Sequence, residues 1–169
     1  MPAATAKTPR MFLKVATAQE VMTSNPLSLD EDTTVREAAA LLLDKGISAA
    51  PVINEAGHPV GLLSRTDLLR HQRETEEMLQ PEDRVYHRAE TGLPHGERLG
   101  KGFQVLTGDK TRVRNIMTAT IFTVIPEMPI ELTIKEMLMR KVHHLCVVDR
   151  FGVLVGIISP LDILRALVS

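Results

Sequence analysis

The chain contains two copies of one pattern. Residues 21–70 read VMTSNPLSLDEDTTVREAAALLLDKGISAAPVINEAGHPVGLLSRTDLLR, and residues 116–165 read IMTATIFTVIPEMPIELTIKEMLMRKVHHLCVVDRFGVLVGIISPLDILR. The two align without a gap, and Met22/Met117, Thr23/Thr118, Val52/Val147, Gly57/Gly152, Gly61/Gly156, Ser64/Ser159, Asp67/Asp162 and Arg70/Arg165 are identical pairs. Elsewhere the residue changes but the apolar character mostly stays. Glycines and charges kept in step over roughly fifty residues mark an internal duplication. A unit of ~60 residues buries too little apolar surface to be secure alone, so the copies are expected to share a core. Pseudo-twofold packing of two such copies leaves two equivalent clefts between them, where ligands commonly sit.

Each copy carries the same local signals. Val35, Ala38, Ala39, Leu42 and Leu43 fall on one helical face, and Thr34 three residues before Glu37 offers a capping box at its start. In the second copy Ile130, Ile134, Met137 and Leu138 hold that face, with Pro129 at or near the helix start. Short β-branched runs follow, Ala50–Asn54 and Leu145–Asp149, each reading as a buried strand. Turns at Gly57 and Gly152 lead to returning strands, Val60–Leu63 and Val155–Ile158. Ser64 and Ser159 then open second helices. The expected fold is α/β (α+β): strand, helix, strand, strand, helix in each repeat, the two packed with pseudo-twofold symmetry. The boundaries are a flexible N-terminal tail over 1–14, repeat 1 over 15–70, a helix extension with inserted linker over 71–111, and repeat 2 over 112–169.

Composition narrows the function classes. The formal net charge is −1, which offers no bulk pull towards nucleic acid or anionic membrane. Aromatic residues are 3% of the chain, too few for a stacking platform that binds single-stranded nucleic acid. The longest apolar runs fall well short of the ~20 residues that span a bilayer, and the polar start MPAATAKTPR is no signal peptide. The single cysteine, Cys146, excludes an internal disulfide and fits a reducing cytoplasmic compartment. It lies in an apolar run and reads as a buried thiol. No activated nucleophile, metal cluster or acid/base pair can be assembled, so the chain is not expected to be an enzyme.

The chemistry concentrates in GLLSRTD (Gly61–Asp67) and GIISPLD (Gly156–Asp162). One reading is purely structural: Ser at the N-cap and an acid at the third helical position, with Pro160 at the first. The other uses the same geometry for binding. Unpaired N–H groups and the positive end of the helix suit a phosphate, a Ser hydroxyl donates to it, and a carboxylate accepts both hydroxyls of a ribose.

These elements, together with the MT-x-x-P, TV-x-EA and S-A-x-PV-I-N strings of the first copy, resemble a cystathionine-beta-synthase-type (CBS) repeat, and the two copies resemble a tandem CBS pair. The resemblance implies a regulatory module that binds adenine nucleotide or another adenosyl ligand (AMP, ADP, ATP or S-adenosylmethionine) and requires no cofactor. It further implies a homodimer and a regulated partner protein of unknown identity, with no nucleic acid and no membrane. Residue by residue, it implies ribose at Asp67 and Asp162, and phosphate at Ser64, Thr66 and Ser159. Leu161 stands where the first copy has Thr66, one hydroxyl fewer. The adenine slot is implied to come from the partner repeat: Thr23, Leu27, Ile47 and Ser48 for the Asp162 site, Thr118, Phe122, Val142 and His143 for the Asp67 site, with Leu62 and Ile157 on the adjoining strands. Leu27, Ile47, Phe122 and Val142 serve equally as core residues.

His143 and His144 are implied to reach ligand phosphates; as strand neighbours they would face opposite ways and so not share a metal. His58, His71, His87 and His95 show no ligand spacing. Between the repeats, HQRETEEMLQ is expected to continue the helix begun at Ser64, and the following charged, Pro- and Gly-containing stretch reads as an interaction arm or a lid over one cleft. GERLGKG lacks the spacing of a phosphate-binding P-loop. The competing reading throughout is a ligand-free scaffold in which both Ser-x-x-Asp boxes only cap helices.

Overall fold

A computed structural model describes residues 12–78 and 110–168. The first half runs β1 (Phe12–Leu13), α1 (Ala18–Val21), β2 (Thr23–Ser24), β3 (Leu29–Asp30), α2 (Val35–Asp44), β4 (Ala49–Ile53), β5 (Pro59–Ser64) and α3 (Arg65–Met78). The second half runs α4 (Val113–Ile116), β6 (Thr123–Val124), α5 (Ile130–Arg140), β7 (Leu145–Val148), β8 (Leu154–Ile158), α6 (Pro160–Arg165) and β9 (Leu167–Val168). The expected strand–helix–strand–strand–helix order is present twice, as β3–α2–β4–β5–α3 and β6–α5–β7–β8–α6. Thr34 caps α2 as anticipated: its hydroxyl accepts from the Glu37 N–H (3.2 Å), and the Glu37 carboxylate accepts from the Thr34 N–H (3.0 Å). The Thr34 hydroxyl also donates to the Glu37 carboxylate at 2.6 Å, and this bond first, with the Thr34 N–H second, holds the exposed Glu37 carboxyl below the usual carboxylate range. Pro129 occupies the N-cap of α5. α3 does continue through the HQRETEEM stretch to Met78, whereas α6 stops at Arg165 and the chain turns into β9.

Apart from the β1–β9 pair, two sheets form among the described residues, one around each repeat. In the first, β3 lies parallel to β4 and β4 antiparallel to β5; in the second the order is β2-β8-β7-β6. β2 comes from repeat 1 yet pairs with β8 of repeat 2, Thr23 opposite Ile157. The same exchange runs the other way at Thr118, whose N–H and C=O both bond to Leu62 of β5 at 3.0 Å.

The short helices follow the exchange. Val113 of α4 is fully buried in the core built on Leu29, Val35, Leu42, Val52 and Leu63, while Ala18 of α1 is fully buried with Val124, Leu145, Val147 and Ile158. Backbone bonds fix both crossings: Val35 N–H to Thr111 O and Val113 N–H to Thr33 O (each 2.9 Å), Ala18 N–H to Met128 O (2.9 Å) and Ile130 N–H to Ala16 O (3.0 Å). The duplication in sequence is therefore not the unit of packing, because each core is completed by the opening segment of the other repeat.

The identical Met and Gly pairs acquire a reason here. Gly61 in β5 lies against Met117, and Gly156 in β8 against Met22; a Cβ at either glycine would run into that methionine's sulfur. Each contact joins one repeat to the other.

One expectation is corrected. Phe12 and Leu13 fall in the stretch read as a flexible tail, yet they form β1, antiparallel to β9, and the Lys14 N–H donates to Ala166 O at 3.3 Å. The strand that follows α6 has backbone groups in need of partners, and the N-terminal segment supplies them. Residues 1–11 lie outside the described residues. Among those described, no helix is long and apolar enough to cross a membrane.

Gly61→Ala is expected to lower stability by about 1–3 kcal/mol through overpacking. Combined with Met117→Ala, the loss should be smaller than the sum of the two single effects, because they share one contact. Denaturant titration of the four proteins checks this.

Candidate functional site

The turn from strand into helix is built the same way in both repeats. The N–H and Oγ of Ser64 donate to Asp67 Oδ2 at 2.8 and 2.6 Å, and those of Ser159 donate to Asp162 Oδ2 at the same distances, 2.8 and 2.6 Å. The Asp67 N–H returns a bond to Ser64 Oγ (3.3 Å). Arg70 and Arg165 each stand 3.6 Å from the other carboxylate oxygen of their own aspartate. Both boxes cap their helices. What separates them is Thr118 of the other repeat, whose hydroxyl donates to Asp67 Oδ1 at 3.2 Å. Asp67 is also the deeper of the two, its side chain 4% exposed against 12% for Asp162.

Those bonds restrict what the site does chemically. A hydroxyl has one proton, and that of Ser64 is given to Asp67, so Ser64 donates to a phosphate only after its O–H rotates away. A carboxylate offers about four acceptor positions. Thr118 and Arg70 occupy Oδ1, so a diol reaches Asp67 only by displacing them while the capping oxygen stays in place.

Asp67 lies at a cleft of about 470 Å³ between the repeats. Leu62, Ser64, Thr66 and Asp67 come to it from the β5–α3 turn, and Thr118, Phe122, Val142, His143 and His144 from the other repeat. The structure thus brings together all the residues expected at the Asp67 site. Ser48, expected opposite Asp162, lines the Asp67 cleft instead, and its carbonyl accepts from the Arg65 N–H at 3.0 Å. The remaining members of the expected Asp162 set are more scattered. Thr23 pairs with Ile157 next to the Ser159 turn, Leu27 is 40% exposed, and Ile47 packs against the first core.

The aromatic wall is held from behind. The guanidinium of Arg140 sits 4.5 Å from the centre of the Phe122 ring and is itself bonded to Glu136 at 2.6 Å. This is a cation–π stack.

The two histidines correct a second expectation. β7 begins at Leu145, so His143 and His144 precede the strand and its alternation does not apply; both line the cleft. His143 is exposed and His144 half-buried. Burial chiefly, and His143 next, push the His144 pKa below the usual imidazole value, and Asp162 partly opposes them. No group of three or more His, Cys, Asp or Glu suited to a metal occurs among the described residues. Cys146 is buried as expected, and burial raises its thiol pKa to about 11, so it stays protonated and unreactive.

Sequence reasoning missed Lys141 and Arg65, which also line the cleft. Lys141 caps α5 in the left-handed conformation, φ 55°. Aligning the repeats sets it against Gly46, and that mismatch was the available signal. The arm or lid read between the repeats, with His87, His95 and GERLGKG, lies outside the described residues.

A family model described as CBS domain matches residues 18–74 and 113–169. An uncharacterized protein of Methanocaldococcus jannaschii, MJ1426, is 30% identical over 148 residues, covering 85% of this chain and 86% of the relative. The gamma-3 subunit of 5'-AMP-activated protein kinase from Bos taurus is 28% identical over 138 residues, 82% of this chain but 23% of that subunit. Among solved structures, CBSX2 in complex with AMP superposes with a TM-score of 0.64 at 24% identity, covering 90% of this chain and 96% of that one. That likeness establishes the shared fold.

Because the folded state holds His144 at a lower pKa than the unfolded chain does, it binds fewer protons at mildly acidic pH. Stability is then expected to fall as pH is lowered from about 7.5 to 5.5, through the ordinary histidine range. His144→Gln should flatten that slope in denaturant titrations run across the same range.

Proposed function

The chain belongs to the CBS domain family as a tandem pair, and from that premise we propose that it is a regulatory module that binds an adenosyl ligand between its repeats. The carrying observation is the cleft at Asp67, where a buried carboxylate at a helix start meets hydroxyls and cations from both repeats. Asp67 takes the ribose hydroxyls, displacing Thr118 and Arg70, while Ser64 and Thr66 face the phosphate and Phe122 and Val142 the base. AMP, ADP, ATP and S-adenosylmethionine are the ligands to try. A ligand held by both repeats binds best to one arrangement of them, so occupancy shifts their packing and a partner protein reads the shift. Binding, not turnover, is the proposed role, in a reducing cytoplasm that suits the buried Cys146 thiol.

The scaffold reading has a specific observation behind it, since both Ser-x-x-Asp boxes do cap their helices. Asp67→Ala separates the two. A capping role costs about 1 kcal/mol of stability and nothing else. The proposed role predicts loss of calorimetric binding at that cleft, by tenfold or more, beyond any change in melting temperature. Unchanged affinity in Asp67→Ala, or no binding of the four ligands at millimolar concentration, leaves the scaffold reading standing.

We also propose a homodimer. Leu43 and Leu69 on α2 and α3 are exposed, and so are their repeat equivalents Leu138 and Leu164 on α5 and α6. Apolar side chains exposed at matching places on both repeats suit a symmetric contact with a second copy. Light scattering is expected to give twice the chain mass, and Leu43→Glu with Leu138→Glu to give the monomer.

A further inference from the structure

Building on the adenosyl-binding reading, we infer that the two clefts are unequal, and that Lys141 makes the Asp67 cleft the one that selects a phosphate-bearing ligand. The repeats serve as an internal comparison. Lys141 and Gly46 occupy equivalent helix ends, with φ 55° and 64°. That backbone conformation favours glycine, since a Cβ is crowded there. A Cβ at Gly46 would meet no atom within 4 Å, so backbone conformation is what the position demands. Repeat 1 meets the demand with glycine; repeat 2 accepts the steric cost and gains an ammonium group at the cleft.

Two further differences run in the same direction. Arg65 lines the Asp67 cleft, while its equivalent, Pro160, has neither charge nor N–H. Thr66 also lines that cleft, and its equivalent is the exposed Leu161. Neither Lys141 nor Arg65 has an ion-pair partner among the described residues. His143 and His144 line the same cleft but, unlike lysine and arginine, carry no permanent charge. The contrast therefore lies in Lys141, Arg65 and Thr66: two uncommitted cations and a hydroxyl that complement a phosphate dianion, set against Gly46, Pro160 and Leu161.

Calorimetry of the full chain with AMP and with adenosine tests this, using the wild type, Lys141→Gly, Asp67→Ala and Asp162→Ala. Glycine is the residue the other repeat already carries, so Lys141→Gly is expected to melt no lower than the wild type. The wild type should prefer AMP over adenosine, and Lys141→Gly should shrink that affinity ratio about tenfold, the usual effect of one charge-assisted contact. Asp67→Ala should abolish the preference and Asp162→Ala should keep it. Added salt should erode it, since Lys141 is exposed. An unchanged ratio in Lys141→Gly, equal binding of AMP and adenosine by the wild type, or a preference lost in Asp162→Ala instead of Asp67→Ala overturns the inference while adenosyl binding survives. If neither ligand binds the wild type, adenosyl binding itself fails and this inference falls with it.

Discussion

The opening segment of each repeat crosses to the other, and the rest of the molecule hangs on that exchange. Ala18 and Val113 are each fully buried in the core of the repeat that did not supply them. Thr23 and Thr118 extend the opposite sheet, and Met22 and Met117 close over Gly156 and Gly61. Without the crossing, each small unit would expose the inner face of its sheet and leave backbone groups of β5 and β8 without partners. Stability and the existence of a cleft thus have one origin, since the strands that complete each sheet also bring the second repeat to the Ser-x-x-Asp turn.

This explains how a common helix cap comes to face a cavity. The serine-to-aspartate bonds of the Ser64–Asp67 and Ser159–Asp162 boxes match in length. Their surroundings differ. Thr118 reaches Asp67 from across the interface, and Lys141, His143 and His144 arrive on the loop between α5 and β7. A duplicated fold supplies the positions twice, and divergence at a few of them sets the electrostatics of each.

The interface also shapes the titration of the site. His144 is half-buried in the cleft shared by the repeats and burial is the main cause that lowers its pKa, so its protonation state depends on how the repeats sit together. A group placed so responds to packing, and packing to it, by linkage.

By itself the sequence determined the local structure. Periodicity over Val35–Leu43, the Thr34–Glu37 box, the hairpin at Gly57 and the ungapped duplication specify helices, strands and their repetition, because these depend on near neighbours along the chain. It also marked Asp67, Ser64, Thr118, Phe122, Val142, His143 and His144, which do meet in one cleft. Only the tertiary structure decided which segments complete which core, since pairing of Thr118 with Leu62 involves residues far apart in the chain. It moved Ser48 to the Asp67 cleft, drew Phe12 and Leu13 into a strand, and freed the histidines from the strand alternation assumed for them. Lys141 lay in plain view opposite Gly46, but only a left-handed φ at the mouth of a cleft gives that difference a physical meaning.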